Sequence, residues 1–531
     1  MKTKKYIVSV DFGNSNMVMA VGSTNESGLI NIETVVSEPS KGIENGLVDN
    51  INEVKDLLLT LRDKVEEQLG IRVEEAYAGL SGSFIRYENY VDHVFVRSES
   101  NGVVSKADVE ALHERMRHVT VPEGEMIIDC FPQHYSVDGR AEDPNPVGTF
   151  GMQLSSKFAF IVSEQRPLNR LKRVFDESGI RLAGIFSNSA VMPRAILTPE
   201  EMREGTVAVD IGGSTTDVAV CRGGLLRYAA SIPLGAGTID NDINKHGVPE
   251  HLVEKLKIRC GSAVADMVSE TAKIKLGKTS LAKIVMKRNL ASIIEARLTD
   301  IAEYVKGEIR ESGYEKRVPC GIVLTGGAAA TPDIEELFRR LTGMNVRTAT
   351  ATEGITTASV EMLDSPEYTG AVALLIAGCE RGACKVTEVE VREVNDGPQD
   401  DELSGREGSG NNNTKPEDSD SGVVTGPETE TDNNGDNGDD ISGPDSPEDD
   451  DSADNDGKDK GKSKGKDKDK DNGDKTAKER WKRLTGLLGR GVDMLRDTIA
   501  SSGEDEDPSF SDMESGDRDE YFVDGKDKDE I

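Results

Sequence analysis

The chain has 531 residues, of which 98 are acidic and 64 are basic, so its formal net charge is −34. This charge disfavours DNA or RNA as a partner, because phosphates repel carboxylates. No apolar run approaches the roughly 18 residues of a membrane-spanning helix. The six cysteines have no Cys-x-x-Cys spacing, which predicts scattered thiols in a reducing cytosol and no disulfide framework.

The first 80 residues have the alternating strands and helices of an α/β fold. Alternating and continuous apolar runs predict strands, and apolar residues three and four apart predict a helix. The predicted strands are 6–10, 17–22, 29–36 and 75–80, and the predicted helix is 50–69. From Ser81–Gly82 onward the sequence pattern predicts mostly strands, which indicates an inserted domain.

A second α/β unit begins at Thr206 and is interrupted in its turn. Before it, the pattern predicts a helix over 166–178, a strand over 181–186 and a helix over 189–197. Within it, the pattern predicts a mostly helical stretch over 247–313, a strand over 321–324, and helices over 331–341 and 365–378. We therefore expect two α/β lobes, each with an insertion, that close on a nucleotide.

Two strand–turn–strand segments carry the chemistry. The first turn reads Asp11-Phe-Gly13-Asn14-Ser15, and the second reads Asp210-Ile-Gly212-Gly213-Ser214-Thr215. Glycine allows backbone N–H groups to face an anion, and an Asp at each strand end can hold Mg²⁺ through water. One such turn is usually structural only, but two of them facing each other would bind the phosphates of one nucleotide.

Further glycine turns leave two interpretations open. Gly326-Gly327 lies between a predicted strand and a predicted helix, so it is either a plain turn or a close approach of backbone to an adenosine. Gly235-Ala-Gly237-Thr238 precedes a helix, whose N–H groups can also face phosphate.

The segment Leu276-Gly277-Lys278-Thr279-Ser280 resembles the end of a phosphate-binding P-loop. The first glycine of that motif is replaced by Ala272, and we predict no strand before it. We therefore do not expect a P-loop here.

After residue 385 the composition changes. From Asp396 onward there are 42 acidic and 19 basic residues, and residues 386–475 have too few apolar side chains to form a core, which predicts a disordered acidic tether. Residues 476–500 then form an amphipathic pattern, and 501–531 an acidic disordered tail. The basic residues beside the apolar stripe include Lys482 and Arg483. The stripe itself consists of Trp481, Leu484, Leu487, Leu488, Val492, Leu495 and Ile499.

That pattern is typical of a helix lying in the plane of an anionic membrane surface. The alternatives are a helix that docks on the body of the protein or in a partner's groove.

The two glycine turns look like those of the actin, sugar-kinase and DnaK ATPase superfamily. More narrowly, residues 5–385 resemble the FtsA family of bacterial cell-division proteins. The motifs are Pro132-Gln133-His134-Tyr135 with Asp138, Asn145-Pro146-Val147-Gly148, Glu254-Lys-Leu-Lys257 with Gly261-Ser-Ala, and Glu367–Leu375. Asn14 and Ser214 depart from that family's pattern, in which a hydroxyl and a glycine are usual.

The resemblance implies an α/β, actin-like two-lobed ATPase fold with a small SHS2-like inserted domain. Lobe 1 would comprise 1–81, 169–204 and the closing helix 364–385, with the inserted domain at 82–168. Lobe 2 would comprise 205–245 and 314–363, with the helical insertion at 246–313. The tether 386–475, the amphipathic helix 476–500 and the tail 501–531 would follow.

The resemblance also implies the site residues. Asp11 and Asp210 would hold Mg²⁺, and Gly326, Gly327, Glu254 and Lys257 would flank the adenosine of ATP. The phosphates would be held by Gly13, Asn14, Ser15, Gly212, Gly213, Ser214 and Thr215, with Gly235. No catalytic residue is assigned; a water-activating group could project from 186–197, and we expect at most weak ATPase activity.

The partners implied are a second copy of the chain, contacted through the inserted domain, and the C-terminal peptide of the tubulin-like protein FtsZ, received by the helical insertion. Other division proteins and the cytoplasmic face of the inner membrane at the division site complete the set. The alternatives are a small-molecule kinase, a DnaK-type chaperone and a pilus-assembly actin-like ATPase.

Overall fold

The computed structural model describes residues 4–25, 28–97, 101–140, 145–276, 283–360, 363, 365–388 and 522–524. All of them belong to one compact unit, formed by Met1–Arg392 with Asp507–Ile531. The tether predicted over 386–475 starts too early, because Val386–Glu388 form a strand that pairs antiparallel with Ile71–Val73. The rest of the predicted tether and the predicted amphipathic helix at 476–500 lie outside the described residues.

The first lobe confirms the predicted strands and helix. Its elements are β1 (Tyr6–Phe12), β2 (Asn16–Thr24), β3 (Ile30–Pro39), the short pair β4 (Ile43–Glu44) and β5 (Leu47–Val48), α1 (Ile51–Leu69), β6 (Ile71–Val73) and β7 (Glu75–Leu80). Asn50 caps α1 by accepting the N–H groups of Asn52 and Glu53, which the start of a helix leaves unpaired. Gly70 ends the helix in the left-handed region, with φ 64°.

The inserted domain is a separate three-stranded sheet covered by one helix. It contains β8 (Ile85–Phe95), α2 (Lys106–Arg117), β9 (Glu125–Val137) and β10 (Gln153–Glu164), in the strand order β8-β10-β9. Its own apolar cluster includes Leu112, Met116, Phe158 and Phe160. Because it has its own core, it can be attached to the lobe through Ser81 and Glu164 without disturbing the larger sheet.

The chain then returns to lobe 1 through α3 (Gln165–Ser178), β11 (Arg181–Ser187), α4 (Asn188–Val191), α5 (Pro193–Ile196) and α6 (Pro199–Glu204). The single helix predicted over 189–197 is two short helices. The break falls at Pro193, which has no N–H to continue the helical hydrogen bonds.

Lobe 2 repeats the plan of lobe 1. Its elements are β12 (Thr206–Ile211), β13 (Thr216–Arg222), β14 (Leu225–Ile232), α7 (Gly237–Lys245), α8 (Glu250–Cys260), β15 (Lys273–Leu276), β16 (Lys283–Met286), α9 (Lys287–Glu311), β17 (Ile322–Thr325), α10 (Ile334–Thr342), β18 (Val346–Thr348) and α11 (Thr357–Val360). The remaining elements are α12 (Thr369–Arg381), which closes lobe 1, β19 (Val386–Glu388) and β20 (Phe522–Asp524).

The two large sheets have equivalent strand orders, β3-β2-β1-β7-β11 and β14-β13-β12-β17-β18. In each, the central strand pairs antiparallel with the next strand of a hairpin and parallel with a strand that arrives after a crossover. Asp11 and Asp210 therefore occupy equivalent places near the ends of β1 and β12. The duplicated plan is what makes the two glycine turns equivalent.

The stretch over 247–313 is less helical than predicted. It contains the antiparallel hairpin β15–β16, and β15 also pairs with β20. The expectation that no strand precedes Leu276-Gly277 is thus wrong. The chain nevertheless continues into β16 and not directly into a helix, which is not the strand–loop–helix arrangement of a P-loop. Residues 277–282 lie outside the described parts.

A buried ion pair joins α9 to α7. Arg297 Nε donates to Asp242 Oδ2 at 2.6 Å, and both side chains are less than 10% exposed. Burial by itself raises the pKa of Asp242, but hydrogen bonds and charge from Arg297 and Lys245 outweigh it, so that pKa lies below its ordinary value. The insertion is therefore fastened to the lobe by a desolvated charge pair.

We expect Arg297→Ala to lower the free energy of unfolding by about 3 kcal/mol, because the buried carboxylate of Asp242 would lose its buried partner and keep only the exposed Lys245. Urea denaturation of the full chain measures this. The matched control is Arg288→Ala on the same helix, whose exposed pairing with Glu270 predicts a loss of about 1 kcal/mol or less. Equal losses in both variants would contradict the prediction.

Candidate nucleotide-binding cleft

The turns at the ends of the two central hairpins meet. A Cβ on Gly213, in the β12–β13 turn, would collide with the Ser15 hydroxyl of the β1–β2 turn. The first turn is held by Ser40, whose hydroxyl donates to the Gly13 carbonyl at 2.6 Å and whose N–H donates to the Ser15 carbonyl at 2.9 Å. The structure thus brings together the two turns that the sequence singled out.

The segment at Gly235 lies directly on the second turn. The N–H groups of Ala236 and Gly237 donate to the carbonyls of Gly212 and Gly213, at 2.9 and 2.6 Å. A Cβ on Gly235 would lie 2.5–2.6 Å from backbone atoms of Gly212 and Gly213, so only glycine fits there. The N-terminus of α7 is therefore held against the second turn.

Two carboxylates, those of Asp11 and Asp217, are linked across the cleft by neutral side chains. Asn188 Nδ2, at the start of α4, donates to Asp11 Oδ1 at 2.8 Å and to Ser81 Oγ at 3.0 Å. Ser81 Oγ in turn donates to Asp217 Oδ2 at 2.5 Å. This network runs from lobe 1 to lobe 2, where Asp217 faces Asp210 in the β12–β13 ladder.

These carboxylates are hard to ionise. Burial raises the pKa of Asp11 to about 6, although the hydrogen bond from Asn188 opposes it. Burial also raises the pKa of Asp217 to about 6 against the hydrogen bond from Ser81. The pKa of Asp210 lies well above its usual range, because of burial first and then the charges of Asp217 and Asp11. A cation would relieve this repulsion.

The third glycine turn and the closing helix also enter the site. A Cβ on Gly326, whose φ is 85°, would collide with the Asp210 carboxylate, and one on Gly370 of α12 would collide with the Asp11 carboxylate. The buried hydroxyls of Thr325 and Thr369 lie 2.8 Å apart. At Gly327, by contrast, no described atom lies within 4 Å of an added Cβ, so no contact there requires glycine.

Glu254 and Lys257 lie one helix away from the turns. Lys257 Nζ is 2.6 Å from Glu254 Oε2 and 2.7 Å from Asp240 Oδ1 on α7. Since α7 begins at Gly237 on the second turn, the pair is connected to the cleft through that helix. The structure gives no direct contact between this pair and the two glycine turns.

Two buried polar atoms in the turns have no hydrogen-bond partner among the described residues: Asn14 Oδ1 and Ser214 Oγ. A buried polar group without a partner costs on the order of 1–3 kcal/mol, so an ordered water or a bound group at each position would be stabilising. A hydroxyl can donate to an anionic oxygen, and an amide oxygen can accept from a metal-bound water. These are the two positions at which the sequence departs from the family pattern.

Three residues of the network, Ser81, Asn188 and Asp217, are absent from the predicted site. Asn188 falls in the stretch 186–197 from which a water-activating group was predicted to project, although no single residue could be chosen there. Asp217 lies at the end of the second segment, where it reads as an ordinary strand residue. Ser81 has no local signal, because its partners lie 107 and 136 positions away.

Metal and membrane features are limited in the described parts of the chain. There, no group of three or more His, Cys, Asp or Glu side chains is placed to hold a metal ion. An ion at the carboxylates would keep water or phosphate ligands, as Mg²⁺ commonly does. Nor does any described helix have the length and apolarity to cross a membrane.

Two family models match the chain. "Cell division protein FtsA" matches residues 207–373, and "SHS2 domain inserted in FTSA" matches residues 82–162. The second match agrees with the separate sheet β8-β10-β9, which ends at Glu164.

Relatives and solved structures extend the comparison. The "Cell division protein FtsA" of Bacillus subtilis is 30% identical over 399 residues, which cover 74% of this chain and 87% of that protein. That of Pseudomonas aeruginosa is 28% identical over 386 residues, covering 72% and 91%. A solved "PilM-PilN type IV pilus biogenesis complex" is 15% identical and covers 70% of this chain and 98% of that chain, with a TM-score of 0.48.

We expect Asp210→Asn to stabilise the protein without nucleotide or Mg²⁺, increasingly as the pH rises from about 4 to about 7. Burial and the charges of Asp217 and Asp11 hold the folded pKa of Asp210 well above its ordinary value of 3.8. Above about pH 4 the unfolded state therefore loses this proton while the folded state keeps it, so stability falls as the pH rises, and the neutral amide removes that dependence. The gain should be absent near pH 4 and largest near pH 7.

Thermal unfolding of both proteins across that pH range measures the difference. The control is Asp56→Asn, an exposed aspartate on α1 (73% exposed), for which we expect no pH-dependent difference. A gain for Asp210→Asn that is the same at every pH would refute the repulsion argument.

We expect Gly235→Ala to lower both the stability and the affinity for Mg-ATP, because the added Cβ would push the second turn out of place. The matched control is Gly307→Ala in α9, where nothing lies within 4 Å of an added Cβ and alanine should stabilise by about 1 kcal/mol or less. Urea denaturation and calorimetric ATP titration measure the two effects. Unchanged ATP affinity in Gly235→Ala would show that the turn can shift without consequence.

Proposed function

This chain belongs to the FtsA family of actin-like cell-division proteins, and on that basis we propose that it polymerises and anchors FtsZ filaments to the cytoplasmic face of the inner membrane. It would bind ATP with Mg²⁺ in the cleft and help to recruit other division proteins. The observation that carries the proposal is the pair of glycine turns that meet, each with a partly buried carboxylate near the end of the preceding strand.

The residues of the cleft fit a magnesium nucleotide. Bound Mg²⁺ would supply positive charge that neutralises phosphate oxygens and carboxylates together. The turns Gly13–Ser15 and Gly212–Thr215 would present backbone N–H groups and hydroxyls to the phosphates. Asp11 and Asp210 would orient the water ligands of the ion, and the unpartnered Ser214 hydroxyl would donate to the nucleotide.

We propose that the nucleotide acts as a switch. The network Asp11–Asn188–Ser81–Asp217 joins the two lobes, so a change of charge in the cleft bears on how the lobes are held together. Asn188 and Ser81 are neutral and are both engaged with carboxylates. We therefore assign them a positioning role and expect hydrolysis to be weak.

The inserted domain supports the assembly part of the proposal. Its large apolar side chains Val91, Phe95, Phe150 and Met152 are 66–76% exposed. Exposed apolar side chains of this size are typical of interaction surfaces. We propose that this surface contacts the next subunit head to tail, an arrangement that produces open filaments when the rotation does not close.

The proposed membrane anchoring and FtsZ binding are supported by family membership and by the sequence pattern. The basic amphipathic segment 476–500 would lie on anionic lipid, at the end of a tether whose r.m.s. span is roughly 50 Å. The insertion over 246–313 would receive the FtsZ peptide. Family membership favours this role over the kinase, chaperone and pilus-assembly alternatives.

Co-sedimentation of the full chain with FtsZ and anionic phospholipid vesicles tests the proposal. We expect wild type to carry FtsZ filaments to the vesicles with Mg-ATP, and Trp481→Ala/Leu488→Asp to lose vesicle binding by at least tenfold, because the apolar stripe is broken. The control Asp497→Asn changes the opposite side of the same predicted helix and should bind vesicles normally.

The cleft is tested separately by Asp210→Ala, which should lose Mg-dependent ATP affinity while keeping vesicle binding. If the Trp481/Leu488 variant still carries FtsZ to vesicles, the anchor is wrong. If Asp210→Ala binds Mg-ATP normally, the assignment of the cleft is wrong.

A further inference from the structure

The hairpin β15–β16 has a third strand from the far end of the chain. Strand β20 pairs antiparallel with β15, in the register Ile274↔Asp524, Lys275↔Val523 and Leu276↔Phe522. On its other side β15 pairs with β16, giving the order β16-β15-β20. The tail that the sequence predicts to be disordered therefore includes a strand at Phe522–Asp524.

The charges of the two segments are complementary. In β15, Ile274 and Leu276 are buried, whereas Lys273 and Lys275 are exposed. Residues 271–294 contain six basic and no acidic residues, and residues 501–531 contain 13 acidic and three basic ones. In a chain whose net charge is −34, this basic hairpin is a distinctive place for an acidic strand to bind.

We propose that the edge of β15 is a docking site for the acidic C-terminal tail of the same chain, which adds Phe522–Asp524 as a strand. Main-chain hydrogen bonds supply the pairing, as in strand addition by extended peptides, and the lysines select an acidic segment. Three residues would bind weakly from a separate molecule. Attachment to the same chain provides an effective concentration of about millimolar, which favours docking in cis.

Docking closes a loop that runs from residue 388 to residue 522. When β20 is docked, the end of segment 476–500 lies about 22 residues from the fixed strand at Phe522, which corresponds to an r.m.s. span of roughly 25 Å. When β20 is undocked, the nearest fixed point is residue 388, about 90 residues away along the tether. Undocking therefore increases the distance that the segment can reach from the body. The tail thus controls how far segment 476–500 extends from the body, and this inference concerns only the chain's own strands, so it stands apart from the proposed FtsZ and ATP roles.

Hydrogen–deuterium exchange on the full chain tests the docking. Alternate N–H groups of β15 face β20. Val523→Pro fixes φ near about −65° and so disfavours the extended conformation of β20, which should make residues 273–276 exchange several-fold faster. The control Ser515→Pro places the same residue in the tail outside the strand and should leave exchange unchanged. An excess of a synthetic peptide with the sequence of residues 517–527 should restore protection in the Val523→Pro variant.

Salt and dilution complete the test. Raising NaCl from about 0.1 to about 0.5 M should speed exchange in wild type, because it screens the lysines from the tail, whereas tenfold dilution should change nothing. Equal exchange in wild type and Val523→Pro would overturn the proposal. Protection that disappears on dilution would also overturn it, because the occupant would then be the tail of a second copy.

Discussion

Three carboxylates lie together where the hairpins of two equivalent sheets meet: that of Asp217 is buried, and those of Asp11 and Asp210 are partly buried. Ionised groups so placed repel one another and lack water, so the fold tolerates them only through specific support. Asn188 and Ser81 supply hydrogen bonds to two of them. The glycine turns leave room beside them, and the duplicated strand order delivers them to one place.

The same network connects the cleft to the inserted domain. Ser81 is the last residue before that domain begins, and its hydroxyl contacts both Asn188 and Asp217. The domain returns to lobe 1 at Glu164, immediately before α3. The network therefore reaches the residue from which the inserted domain leaves lobe 1. The proposed nucleotide switch thus has a covalent connection, through Ser81, to the domain that carries the proposed assembly surface.

Charge is distributed unevenly in this chain, and the uneven distribution favours binding at two places in lobe 2: the cleft and the hairpin β15–β16. At the cleft, negative charge is concentrated and buried, which favours a cation. At the hairpin β15–β16, positive charge is concentrated and exposed, which favours an acidic strand. The long acidic region therefore has a defined place to return to, although its composition alone predicts only disorder. The proposed tail docking and the proposed nucleotide site are separate consequences of this one asymmetry.

Features that depend on neighbouring residues in the chain could be predicted from the sequence. Periodicity predicted β1, β2, α1 and the two lobes, and the glycine turns predicted that Asp11 and Asp210 end equivalent strands, because strands, caps and turns are decided by residues a few positions apart. The tertiary structure alone decided the contacts of Ser81 and Asn188, which join residues more than 100 positions apart. It also decided the β15–β20 pairing, since a four-residue strand and a three-residue strand carry too little periodicity to be recognised until they lie side by side.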